Sequence, residues 1–169
     1  MKLGKILFAT DFSEGSEAAL QFASLLAAAT NASLLIQHTD DTTPGMVFGD
    51  VGYGYVPDVD DIARREYDRL RQIVPSVDGV DHEHIFTRGV AAEEILSTAK
   101  REHVDLIVIG THGRSGVSRL LMGSVAEAVV RRATCPVLTV KQPIDDAERP
   151  KEAGTLASST SQRKRDHGR

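Results

Sequence analysis

Val104-Asp105-Leu106-Ile107-Val108-Ile109-Gly110-Thr111-His112-Gly113, followed by Gly123-Ser124-Val125, is the stretch whose reading decides the fold. Leu106 to Ile109 are apolar at every position. A strand with one wet face alternates, so an unbroken run means that both faces are covered, as in a parallel sheet flanked by helices. Gly110 then ends the run, and Gly123-Ser124 stands where the next helix begins.

Working outward, four more short runs rich in Val, Ile and Leu read as strands: Lys5–Thr10, Ser33–His38, His82–Thr87 and Pro136–Val140, alongside Val104–Ile109. Longer amphipathic segments separate them. Ser13–Ala29 spaces Ala18, Phe22, Leu25, Leu26 and Ala29 as one helical face. Ser13 suits the N-cap, and Glu14 and Glu17 sit near the positive end of the helix dipole. Val59–Val74, Ala91–Glu102 and Ser124–Arg132 read as the other helices, the last ending in Arg131-Arg132. Strands that alternate with helices run parallel through right-handed crossovers, so the expected class is α/β, an open five-stranded sheet with helices on both faces.

Two regions stand outside the pattern. Thr39–Pro57 is a long connection containing four glycines (45, 49, 52, 54) and the aromatics Phe48, Tyr53 and Tyr55. It reads either as a segment that closes over a ligand or as a variable insertion. Residues 143–169 are polar, Ser/Thr-rich at Ser158–Ser161 and basic at Arg163-Lys164-Arg165, and are expected to be a disordered tail beyond a domain of residues 1–142.

Composition narrows the function. The net charge of −4 disfavours general nucleic-acid binding, which needs a basic surface. With no Trp and 5% aromatics, a base-stacking platform is also disfavoured. No run approaches the ~18–20 apolar residues of a membrane span. The apolar stretch at Ile6–Ala9 is too short for a signal peptide. A single cysteine, Cys135, excludes an intrachain disulfide and fits a reducing compartment. A cytoplasmic protein without membrane contact is the expectation.

The chemistry concentrates after the fourth strand. In an open α/β sheet, ligands bind at the carboxyl ends of the strands, where the strand order reverses. Gly110 and Gly113 lack a Cβ, so their amides can approach an oxyanion. Gly123 and Ser124 open a helix, whose free N–H groups and dipole favour negative charge. Arg114 and Arg119 supply charge-assisted partners for phosphate. The pattern is neither a Walker loop nor a dinucleotide Gly-x-Gly-x-x-Gly turn, since Asp11-Phe12-Ser13 follows the first strand. Asp11 has two readings: an acceptor for ribose hydroxyls or helper of a metal ion, and a cap for the first helix with Glu14 completing a capping box.

Ile6-Leu7-Phe8-Ala9-Thr10-Asp11-Phe12-Ser13 together with Gly110-x2-Gly113-x9-Gly123-Ser124 resembles the universal stress protein family, over residues 2 to about 141. That resemblance implies sheet order 3-2-1-4-5 and ATP, accompanied by Mg or Mn, as the ligand. It implies adenine and ribose contacts around Ala9, Thr10, Asp11 and Thr39. Phosphate contacts would come from Gly110, His112, Gly113, Gly123, Ser124 and Val125, to which the charge of Arg114 adds its own. Ala9 departs from a proline found in some members, and Thr39 from a common valine. The resemblance also implies a homodimer through Pro136–Val140, which would cover an exposed strand edge.

No catalytic residue and no protein metal ligand is assigned. His112 could serve hydrolysis, but a phosphate-donating role needs no further partners. His82 and His84 share a strand face without an evident third ligand, and Cys135 has no evident base to activate it. The expectation is an ATP-binding regulatory domain with at most slow hydrolysis. Alternatives are a nucleotide hydrolase or transferase, and a nucleotide-free interaction module.

Overall fold

The computed structural model describes residues 3–41, 59–111 and 122–141. Five strands alternate with four helices: β1 (Lys5–Thr10), α1 (Glu14–Thr30), β2 (Ser33–Asp40), α2 (Val59–Leu70), β3 (His82–Arg88), α3 (Ala91–Arg101), β4 (Leu106–Gly110), α4 (Ser124–Arg132) and β5 (Val137–Val140). All neighbouring strands pair parallel, in the order β3-β2-β1-β4-β5. The chain therefore winds outward from β1 to one edge, returns to the centre at β4, and winds to the other edge. The reversal lies between β1 and β4, where Ala9 pairs with both Gln37 and Ile109.

Side-chain alternation sorts each strand between two cores. Ile6, Phe8, Leu34, Ile36 and Val108 pack with Ala19, Ala23 and Ala27 of α1 and Leu70 of α2. Leu7, Leu35, Ile107 and Ile109 pack with Ile95 and Ala99 of α3 and Val129 of α4 on the other side. Each such Leu or Ile contributes about 1.5–3 kcal/mol on burial, which is why the central strands are apolar throughout.

Several boundaries and one helix face differ from the sequence reading. In α1 the buried residues are Gly15, Ser16, Ala19, Ala23, Ser24 and Ala27. Phe22 and Leu25, expected inward, are 54% and 58% exposed. Small residues win this face because α1 lies close over the sheet at the central strands. α2 stops at Leu70, not Val74: the chain tightens into i→i+3 turns (Gln72 to Arg69, Ile73 to Leu70), and Pro75 disfavours helix at Val74. Val104 belongs to the turn leaving α3, where its N–H donates to Ala99 O (2.9 Å) and His103 takes φ 53°, so β4 begins at Leu106. β2 runs on to Asp40 because β3 supplies register partners as far as Arg88.

Candidate functional site

The turn leaving β1 is held by a chain of short hydrogen bonds. Thr10 Oγ1 accepts from Phe12 N (3.0 Å) and donates to Ser16 Oγ (3.1 Å). Asp11 Oδ1 accepts from Ser13 N (3.1 Å) and Ser13 Oγ (2.6 Å). Ser13 is the N-cap, accepting from Ser16 N. The expected cap residue is thus Ser13; Asp11 is not itself the cap, but orients the residue that is. Phe12 pays for this geometry with φ 64°, a left-handed conformation costly for a bulky side chain. Its ring rests on His38 (centroids 4.1 Å apart) and beneath the Arg69 guanidinium (4.4 Å).

At the carboxyl ends of β1, β2 and β4 lies a cavity of about 300 Å³. Of the residues expected there, Ala9, Thr10, Asp11, Thr39, Gly110, Gly123, Ser124 and Val125 all line it. Asp11 and Gly110 share this crevice because β1 and β4 are neighbours. His112, Gly113, Arg114 and Arg119 lie outside the described residues, as do most of the 39–57 connection and the tail.

Gly110 has a packing role besides the one expected of it. A Cβ there would stand 2.9 Å from Gly15 O, 3.0 Å from Gly15 C and 3.3 Å from Ser16 N. The missing side chain makes room for the first turn of α1, so this glycine serves packing of helix on strand. Gly123 is the N-cap of α4, with φ −61° and no side-chain cap. Its N–H donates to Thr111 O (2.7 Å). Among the described residues no side chain caps the start of α4, and Ser124, Val125 and Ala126 of its first turn line the cavity.

Several polar residues of the lining escaped the sequence reading, Ser16, Asp41 and Thr111 among them. Gln37, His38 and Glu66 all line the cavity. His38 Nδ1 donates to Thr10 O (2.8 Å), and its Nε2 lies 3.2 Å from Glu66 Oε2, tying β1, β2 and α2 together. The signal was present in β2 itself: Gln37-His38-Thr39-Asp40 are buried polar residues ending an otherwise apolar strand. The lining is acidic on the β1–β2 side (Asp11, Asp41, Glu66), and no Lys or Arg appears among its described residues. Positive potential comes instead from the N-terminus of α4.

Among the described residues no group of three His, Cys, Asp or Glu is placed to hold a metal ion. His84 Nε2 bonds to Ile73 O (2.7 Å), and His82 Nδ1 lies 3.3 Å from Val80 O. Burial pushes the Cys135 thiol above its ordinary pKa, which favours the unreactive protonated form. Among the described residues no helix is long and apolar enough to cross a membrane.

A doubly wound parallel sheet with a cavity at its switch point places the chain among the open α/β proteins of the Rossmann-like kind. The sequence matches the universal stress protein family over residues 2–141, and the chain belongs to that family. It is 35% identical over 145 residues to the universal stress protein YxiE of Bacillus subtilis, covering 81% of this chain and 98% of that one. The fold is shared with universal stress protein UspA from Lactobacillus plantarum, at TM-score 0.66 and 24% identity over 83% of this chain and 99% of the other. A universal stress protein solved in complex with cAMP is 27% identical, with TM-score 0.56, over 83% of this chain and 98% of its own.

Proposed function

We propose that this protein binds an adenine nucleotide, ATP, in the crevice between β1 and α4, and that the bound nucleotide regulates its association with partners. The observation that carries this reading is the bare start of α4. Gly123 caps it without a side chain and lines the same cavity as Ala9, Thr10, Asp11 and Thr39. Phosphates at the α4 end meet free amides and the helix dipole, with Ser124 and Val125 in the first turn. His112, Gly113 and Arg114 are proposed as further phosphate contacts. Asp11 and the acidic side suit ribose hydroxyls, which donate. The relative solved with cAMP supports an adenine nucleotide as the ligand class.

Mg or Mn would arrive on the phosphate oxygens, neutralising charge next to the carboxylates. No side chain is assigned to activate water, so hydrolysis is slow at most. We further propose a cytoplasmic homodimer joined through Pro136–Val140, with residues 1–142 as the domain and 143–169 as a polar tail. β5 lies at the sheet edge with β4 as its neighbour, which supports that choice of interface.

The test is to denature protein purified from cells, identify any small molecule released, and titrate the emptied protein with ATP in a calorimeter. An adenine nucleotide recovered and rebound stoichiometrically is expected. Protein that releases none and gives no binding heat with ATP refutes the proposal. Sustained phosphate release well above ~1 per minute would instead mark a dedicated enzyme, since typical enzymes turn over at 1–10³ s⁻¹.

A further inference from the structure

His38 of β2 is buried, its ring 4.1 Å from that of Phe12 and 6.0 Å from that of Phe86. Both of its nitrogens face oxygens. Nδ1 donates to the carbonyl of Thr10 (2.8 Å), and Nε2 lies 3.2 Å from Glu66 Oε2. A main-chain carbonyl and a carboxylate only accept, and turning the ring over would put carbon atoms in both places. A neutral imidazole has a single N–H, so it serves only one of these two acceptors. The second bond requires a further proton, on Nε2 or on the Glu66 carboxyl. Without it, two lone pairs would face each other in a buried place. The pair therefore holds one proton that a neutral histidine beside a carboxylate lacks.

Two ties from α2 meet at the turn that leaves β1. Glu66 reaches Thr10 through His38, and Arg69 donates to Phe12 O (3.3 Å) with its guanidinium over the Phe12 ring. Between Thr10 and Phe12 stands Asp11, which lines the cavity, as do Thr10, His38 and Glu66. Phe12 keeps φ 64°, and so unfavourable a conformation persists only where its surroundings hold it. We infer that His38 and Glu66 are positioning residues of the nucleotide crevice: sharing one proton, they clamp the β1–α1 turn, and affinity for nucleotide falls when rising pH removes that proton. This rests on the nucleotide reading above and adds to it control of the site by pH. The elements around the ring also carry Arg69 on α2, Asp11 after β1, Asp40 and Asp41 along β2 and beyond its end, and Arg88 on β3. Arg69 is directed to Phe12, and Arg88 to Asp40 (3.6 Å) and Asp60 (3.2 Å). These charges are common to wild type and to the Glu66 variants, so their effects cancel between them.

The experiment uses the full chain as wild type, Glu66→Gln and Glu66→Ala, each checked for native circular dichroism, at about pH 6 and about pH 9. A glutamine amide donates to a bare Nε2, so Glu66→Gln keeps the bond without the extra proton. The first readout is urea unfolding without nucleotide. The folded pair binds a proton that the unfolded chain releases above the usual histidine range, so the wild-type midpoint should fall as pH rises, relative to Glu66→Gln. The second is ATP affinity by calorimetry. Between the two pH values it should fall on the order of tenfold more in wild type than in Glu66→Gln, a comparison that cancels the titration of the phosphates themselves. Glu66→Ala should share the flat profile of Glu66→Gln but bind ATP more weakly. Urea midpoints that move equally with pH in wild type and Glu66→Gln overturn the shared proton. The same pH dependence of ATP affinity in all three proteins overturns the positioning role and leaves the nucleotide reading intact. Binding of ATP by none of them at either pH refutes the nucleotide reading and the positioning role with it; the urea comparison needs no nucleotide, so the two failures are told apart.

Discussion

Replacing Gly110 with alanine separates the two roles that glycines can play at this crevice. The new Cβ would meet three backbone atoms of α1, the nearest at 2.9 Å. Backbone cannot swing aside as a side chain does, so the first turn of α1 must shift, and with it Ser13, Ser16 and the Thr10–Ser16 bond. Overpacking of this kind costs ~1–3 kcal/mol. For a chain of this size that is a fall in melting temperature of about 2–12 °C. Gly123→Ala is the control: among the described residues its Cβ would meet only Thr111 O, at 3.3 Å, and φ is already −61°. A small adjustment there and a poorer N-cap cost below about 1 kcal/mol. Thermal denaturation followed by circular dichroism, without nucleotide, measures both. If Gly110→Ala melts no lower than Gly123→Ala, the packing account of Gly110 is wrong.

Gly123→Val should keep the wild-type circular dichroism spectrum and weaken ATP binding by more than about tenfold, because its branched side chain occupies the end of the cavity; unchanged affinity by calorimetry would remove α4 from the site. Ser13→Ala should destabilise by about 1 kcal/mol through loss of the α1 cap, measured by urea titration. Asp105 accepts from the backbone N–H of Gly4 (2.7 Å) and Lys5 (3.0 Å), which lowers its pKa below the ordinary aspartate value. A carboxylate so shifted stabilises the fold above its unfolded pKa and loses that contribution as pH falls through its folded one. Wild type should therefore lose stability below about pH 4 more steeply than Asp105→Asn, the variant being the less stable at neutral pH. Cys135 should react slowly with iodoacetamide at pH 8 in the native state and quickly in urea, read by mass spectrometry.

Much of the site was legible in the residues. Gly123-Ser124 opening a helix, and Asp11 ending a strand, place themselves once strands and helices are assigned, and both line the cavity. Gly110 carries a packing role beside the one its sequence position suggests. A glycine at a strand end reads equally as anion cradle or as clearance for a helix, and only the position of Gly15 shows the clearance. Gln37 and His38 were hidden because they fall inside the strand read as Ser33–His38, where a polar residue alone gives no sign that it lines a cavity. Their partners Thr87 and Glu66 are distant in sequence, so nothing local announces the pairing.

The sequence by itself determined the α/β class, the parallel pairing and the position of every element, because apolar runs and amphipathic periods are local properties of the chain. Which face of α1 turns inward was left to tertiary structure, since close approach to the sheet favours Ala and Ser over the larger Phe22 and Leu25. So were the packing role of Gly110 and the contact of His38 with Glu66. Each depends on atoms brought together from separate strands and helices, and a contact between distant segments leaves no periodic mark in the sequence.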